Sequence, residues 1–101
     1  MPQLILTANA VRDLENHREY IREHNAAAAK RLAHEIIGSL KSIAQHPYVG
    51  RCIDEMPLEY RQWVIEYGKT GFIASYRVEQ NAVVVLSIKH QKQEIQLPSG
   101  N

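Results

Sequence analysis

Two basic side chains, Arg77 and Lys89, stand on adjacent apolar runs late in the chain, and their types and spacing could hold phosphate. A guanidinium offers a planar fork of donors that matches phosphate oxygens, and an ammonium adds a point charge. Residues 61–67, 72–78 and 82–90 are rich in Val, Ile, Tyr, Phe and Trp, and short breaks separate them at 68–71 and 79–81. That pattern predicts a three-strand antiparallel meander. Alternation puts Phe72, Ala74, Tyr76 and Val78 on one face, with Ile73, Ser75 and Arg77 on the other. On the last strand it puts Val84, Leu86 and Ile88 together, opposite Val83, Val85, Ser87 and Lys89. In a simple register Arg77, Lys89, Ser75 and Ser87 share one surface. The competing use of Arg77 is a salt bridge, or a cation–π contact with Tyr60, Trp63 or Tyr67, that only holds the sheet. The competing use of Lys89 is a solvated strand edge.

The rest of the chain must position this meander. Residues 3–7 predict a short first strand. Thr7 or Asn9 can cap the helix that follows, whose thin apolar stripe is Val11, Leu14 and Ile21. Asn25 can cap a second helix from Ala26 to about Gln45, with the stripe Ala29, Leu32, Ala33, Ile36, Ile37, Leu40 and Ile43. Pro47 ends it, because proline disfavours helix at the residue before it. So short a joint predicts an antiparallel helical hairpin. Residues 47–57 read as a loop. The fold class is α+β: a short N-terminal strand, a helical hairpin on one sheet face, and a three-strand antiparallel meander. Residues 1–94 form one domain in this reading, and residues 95–101 a loose tail. Helices on one face leave the other open, so Val83 and Val85 are expected there with Ile73, where a second polypeptide would cover them.

Composition bounds the function. The chain has 101 residues, 12 Lys and Arg, 11 Asp and Glu, and a net charge of +1. That is no field for generic nucleic-acid binding. Cys52 is the single cysteine. No internal disulfide can form, and a small, half-buried thiol in a reducing cytoplasm is expected. The start, Met-Pro-Gln-Leu-Ile-Leu-Thr, has no basic segment before its apolar residues, so no signal peptide is expected. No apolar run approaches a membrane span. His17, His24, His34 and His46 have no metal-ligand spacing, and neither metal nor cofactor is expected.

Several pieces taken in order resemble a known family. They are the Ala-rich helix with Leu32 to Ile43, then His46-Pro47-x-x-Gly50-Arg51 and Glu59-Tyr60-Arg61. Tyr76-Arg77-Val78 and Val84-Val85-Leu86 follow, running into Ile88-Lys89-His90. Together they resemble the RelE/ParE superfamily of toxins from bacterial type II toxin–antitoxin pairs, often labelled plasmid stabilisation proteins. The match runs from Leu4 to about Gln93.

The resemblance implies a growth-inhibiting toxin of this topology, with an antitoxin whose extended and helical segments wrap it. It also implies promoter DNA bound only through the antitoxin. RelE-like members cut messenger RNA on the ribosome with clustered Lys and Arg. On that branch Arg77, Arg61 and Lys89 would stabilise phosphoryl charge, and His90 would move a proton. ParE-like members poison DNA gyrase without nuclease chemistry. Only Lys92 follows His90 as a base and the tail has no tyrosine, which leans toward the gyrase branch. A non-toxic interaction module of the same fold is the third reading.

Overall fold

The computed structural model describes residues 2–92. The expected tail at 95–101 lies outside them. The described chain is β1 (Gln3–Leu6), α1 (Ala8–Arg22), α2 (Ala26–Gln45), a short 3-10 turn (Pro47–Val49), β2 (Arg51–Cys52), β3 (Tyr60–Tyr67), β4 (Thr70–Glu79) and β5 (Ala82–His90). The architecture is α+β, with a helix pair packed on one five-stranded sheet of order β1-β5-β4-β3-β2. β1 runs parallel to β5, and every other neighbouring pair is antiparallel.

Local chemistry accounts for the element ends. The Thr7 hydroxyl accepts from the Ala10 N–H at 3.1 Å and caps α1, and the Asn25 side chain accepts from the Ala28 N–H at 3.0 Å and caps α2. Pro47 stops α2 and opens the 3-10 turn. Gly68, at φ 61°, supplies the left-handed residue of the β3–β4 hairpin. Residues 47–57 are not simply a loop: they hold the 3-10 turn and two residues of β2, too few to show a period.

The core lies between helices and sheet. Leu32, Ile36, Leu40 and Ile43 from α2 meet Phe72, Ala74 and Tyr76 from β4, and Val83, Val85 and Ile88 from β5. The inward face of β4 is therefore the one that alternation predicts. That of β5 is not. Val83 and Val85 have no exposed surface, and they lie in the core instead of on the open face. The reason is a bulge. Ser75 pairs with Ser87 and Tyr76 with Val85, so Leu86 has no partner across the ladder. One extra residue shifts the phase: Val83 and Val85 point inward before it, and Ile88 after it. Val84 takes the outer face, shielded by its cross-strand neighbours Ile5 and Arg77 to 7% exposure. The doubly apolar run is thus explained largely by a central strand, flanked by β1 and β4.

α1 has a second task. β1 accompanies β5 only as far as Val85, and beyond that the β5 edge is bordered by α1. Thr7 donates its hydroxyl to the Val85 carbonyl at 3.0 Å, and the Asn9 amide donates to Leu86 O at 3.0 Å. The Ile88 N–H donates to Asp13 Oδ2 at 2.9 Å, and His17 Nε2 donates to Ile88 O at 2.7 Å. Side chains of a helix here replace the backbone of a missing strand.

Candidate functional site

Residues directly opposite each other in an antiparallel ladder share a face, and this rule places the four basic candidates. Arg77 pairs with Tyr60 and looks outward, whereas Arg61 pairs with the buried Tyr76 and looks toward the helix side. Lys89 lies opposite Ile73 on the outer face, and His90 lies opposite Phe72 on the inner one. Arg77 and Ile73 are four residues apart on β4, about 13 Å at strand rise. The four groups are therefore divided two and two between opposite faces.

Each is also engaged. Arg77 Nε donates to Glu79 Oε2 at 2.9 Å, and a second guanidinium nitrogen pairs with the same oxygen. Hydrogen bonding to Glu79, and then to Tyr60, holds the Arg77 pKa above its ordinary value. Arg61 Nε donates to Leu58 O at 2.8 Å and Nη1 to Gly50 O at 3.0 Å, with its guanidinium 4.8 Å from the Tyr48 ring centroid. Lys89 Nζ sits 3.2 Å from Asp13 Oδ1, so its charge meets the carboxylate that also holds the β5 edge.

His90 Nδ1 accepts from the Lys92 N–H at 3.1 Å, which leaves the proton on Nε2, 3.0 Å from Thr70 Oγ1. Burial first, then the fields of His17 and Lys92, push its pKa below the ordinary value. The His90 ring stands edge-on to Phe72 at 5.3 Å, and His17 is tilted against the same ring at 4.7 Å. These rings, with Tyr67 and Ile21, line an open cleft of about 620 Å³. An imidazole held by both nitrogens is set to bind structure together, and nothing in the arrangement aims it at Arg77.

The outer face itself is a strip of half-buried Ile73, Leu86, Ser75 and Arg77 around Val84, and among the described residues neither α1 nor α2 packs over it. Of the three residues expected to meet a partner there, Ile73 is on this face and Val83 and Val85 are not. Cys52 is exposed instead of half-buried.

Several residues escaped the sequence reading. Asp13 and His17 are one helical turn apart, and that i,i+4 pair was the available signal for two groups meeting one edge. Tyr76 donates to Pro47 O at 2.7 Å and accepts from the Gly50 N–H at 3.0 Å, pinning the turn from inside. Burial raises its pKa, so the hydroxyl keeps its proton. Gly50 fits there because a Cβ would stand 2.6 Å from Gln62 O.

Comparison with known proteins bears on the family and the fold. Residues 4–95 match the family model described as ParE toxin of type II toxin-antitoxin system, parDE. Toxin RelE3 of Caulobacter vibrioides is 30% identical over 90 residues, covering 89% of this chain and 95% of that protein. A solved structure titled as a chromosomal ParDE TA system from P. aeruginosa superposes with a TM-score of 0.69 at 22% identity, covering 89% of this chain and 96% of that one. The chain belongs to the ParE toxin family of type II toxin–antitoxin systems.

Proposed function

We propose that the protein is a cytoplasmic toxin that arrests bacterial growth, is neutralised by a cognate antitoxin, and acts on DNA gyrase through protein–protein contact. The observation that carries this reading is the division of the basic groups. Cleavage of RNA needs charge stabilisation and proton transfer at one phosphate. Here Arg77 and Lys89 lie on one face, Arg61 and His90 on the other, and Lys89 and Arg61 are committed to Asp13 and to backbone carbonyls. A net charge of +1 also supplies little attraction for ribosomal RNA. The outer strip of Ile73, Val84 and Leu86 is the surface for a partner protein, and promoter DNA would be reached only through the antitoxin.

The test is induction of the chain without antitoxin, followed by two assays on purified protein. Inhibition of gyrase supercoiling with in vitro translation unimpaired is the expected result. Ribosome-dependent cleavage of messenger RNA would replace this reading with the nuclease one, which the name of the Caulobacter relative favours. Unchanged growth would leave a non-toxic interaction module.

A further inference from the structure

The helix side of the sheet opens at one end into a cleft, where α1 passes the β3–β4 hairpin and the close of β5. The cleft holds about 620 Å³, within the range of sites for small molecules. Its floor is aromatic. Phe72 is 3% exposed, and the rings of His17, His90 and Tyr67 gather round it at centroid distances of 4.7, 5.3 and 6.4 Å. α1, β5 and β3 each supply one of these rings, and Ile21 adds an aliphatic wall. A flat ring laid among them meets both ring edges and ring faces.

The polar groups round this floor are unevenly matched. Asp13 borders the cleft, but its carboxylate already takes the Ile88 N–H and faces the Lys89 ammonium. His17 is spent on the Ile88 carbonyl. His90 gives its Nε2 proton to Thr70 Oγ1, which leaves the Thr70 hydroxyl hydrogen for another acceptor. Lys92 enters no ion pair among the described residues. Phe72 and His90 stand directly opposite in the ladder, and Thr70 precedes the one by two residues as Lys92 follows the other by two. A hydroxyl donor and an ammonium are thus brought to the same end of the aromatic floor. Both seek an acceptor, and the unmatched charge is positive. After burial, the fields of His17 and Lys92 hold the His90 pKa down. An anion beside Lys92 would raise it.

We propose that this cleft binds a small, flat aromatic acid. Its ring lies against Phe72, Tyr67 and His90, and its carboxylate meets the Lys92 ammonium and the Thr70 hydroxyl. Asn16 and Tyr20 of α1 border the same cleft and would meet further polar substituents of the acid. The site lies on the helix side, apart from the outer strip of Ile73, Leu86 and Arg77, so it does not depend on the antitoxin or gyrase reading. A ligand that touches α1, β3 and β5 together also stabilises the folded chain.

The experiment is an NMR titration of the full chain with benzoate, benzamide and cyclohexanecarboxylate, read at the rings of His17 and His90 and at the amides of residues 67–72. Saturable shifts with benzoate are expected there, with a rise in the His90 pKa at saturation. Benzamide has the same ring without the charge, and it should bind about threefold more weakly, the worth of an exposed ion pair. Lys92→Met should erase that difference and leave benzamide binding unchanged. Asn16→Trp puts a ring into the cleft from the exposed side of α1 and should abolish the benzoate shifts, with thermal melting to check its fold. Benzoate shifts that do not saturate, or that leave the His90 pKa where it was, overturn the site. Equal binding of benzoate and benzamide removes the acid from the proposal and overturns it. Cyclohexanecarboxylate bound as tightly as benzoate does the same for the aromatic ring. A folded Asn16→Trp that still binds benzoate places the ligand elsewhere, and it too overturns the inference.

Discussion

His90 carries a pH dependence whose sign follows from its contacts. Its folded pKa lies below the ordinary imidazole value of 6.5, chiefly through burial. Below that value the unfolded chain takes up a proton that the folded chain refuses, so this contribution to stability is present above pH 6.5 and is lost as pH falls toward the folded pKa. Protonation would also turn Nδ1 into a donor facing the Lys92 N–H. Urea denaturation at pH 7.5 and pH 5 should show a smaller acid-side loss for His90→Gln than for wild type. Equal losses would mean that His90 titrates alike in both states. Asp13 is a second residue with a definite cost. Its carboxylate is the partner of the Ile88 N–H, and it is 8% exposed. Asp13→Ala should lower stability by about 1–3 kcal/mol, the cost of a buried donor left unmade. Asp13→Asn keeps an oxygen there and should lose less, and denaturant midpoints compare the two.

At the scale of elements, α2 and β5 hold the core from opposite sides. Leu40 is fully buried in that contact, and Leu40→Ala should cost about 2–5 kcal/mol in chemical denaturation. A loss under about half a kcal/mol would be incompatible with so closed a site. This helix was legible in the sequence because its stripe repeats at 3.6 residues and Asn25 and Pro47 mark its ends. The inward face of β4 was legible for the same reason at period two. β5 was not, because Val83, Val84, Val85 and Leu86 are all apolar and an unbroken run carries no phase. The bulge at Leu86 changed which of them faces the helices, so Val85→Glu is a core lesion and not a surface change. Arg61 shows a second limit. Its position on β3 was readable, but its face depended on the register against Tyr76. The i,i+4 spacing of Asp13 and His17 was legible, but which edge they cover was not, since Ile88 is more than 70 residues away from both.

For the molecule as a whole, the two faces separate stability from interaction. The helix-side face holds the buried core, while the outer face keeps Arg77 beside half-buried Tyr60 and buried Val84. Arg77→Ala should remove growth inhibition on induction while leaving antitoxin affinity and melting temperature close to wild type. Leu86→Glu should do the reverse for affinity, because a carboxylate desolvated in the contact is costly. Measured together, growth and affinity decide whether target and antitoxin meet the outer face through different residues. If both variants lose both properties, the two surfaces coincide.

The helix that borders the β5 edge also sets an order of events. Strand β1 and helix α1 are made before β5, yet the groups that they and Thr7 bind belong to Val85, Leu86 and Ile88, separated from them by 71 to 79 positions in the chain. Contacts of that separation form late, after the loop between them has been closed. Synthesis runs from the N-terminus, so the β5 groups that this strand and helix bind become available only after β5 has been made. A chain halted before Ala82 lacks the strand on which both depend. It should remain protease-sensitive in its first 22 residues, even with the α2 sequence complete. The β1–α1 segment is therefore fixed in place only once β5 has been made.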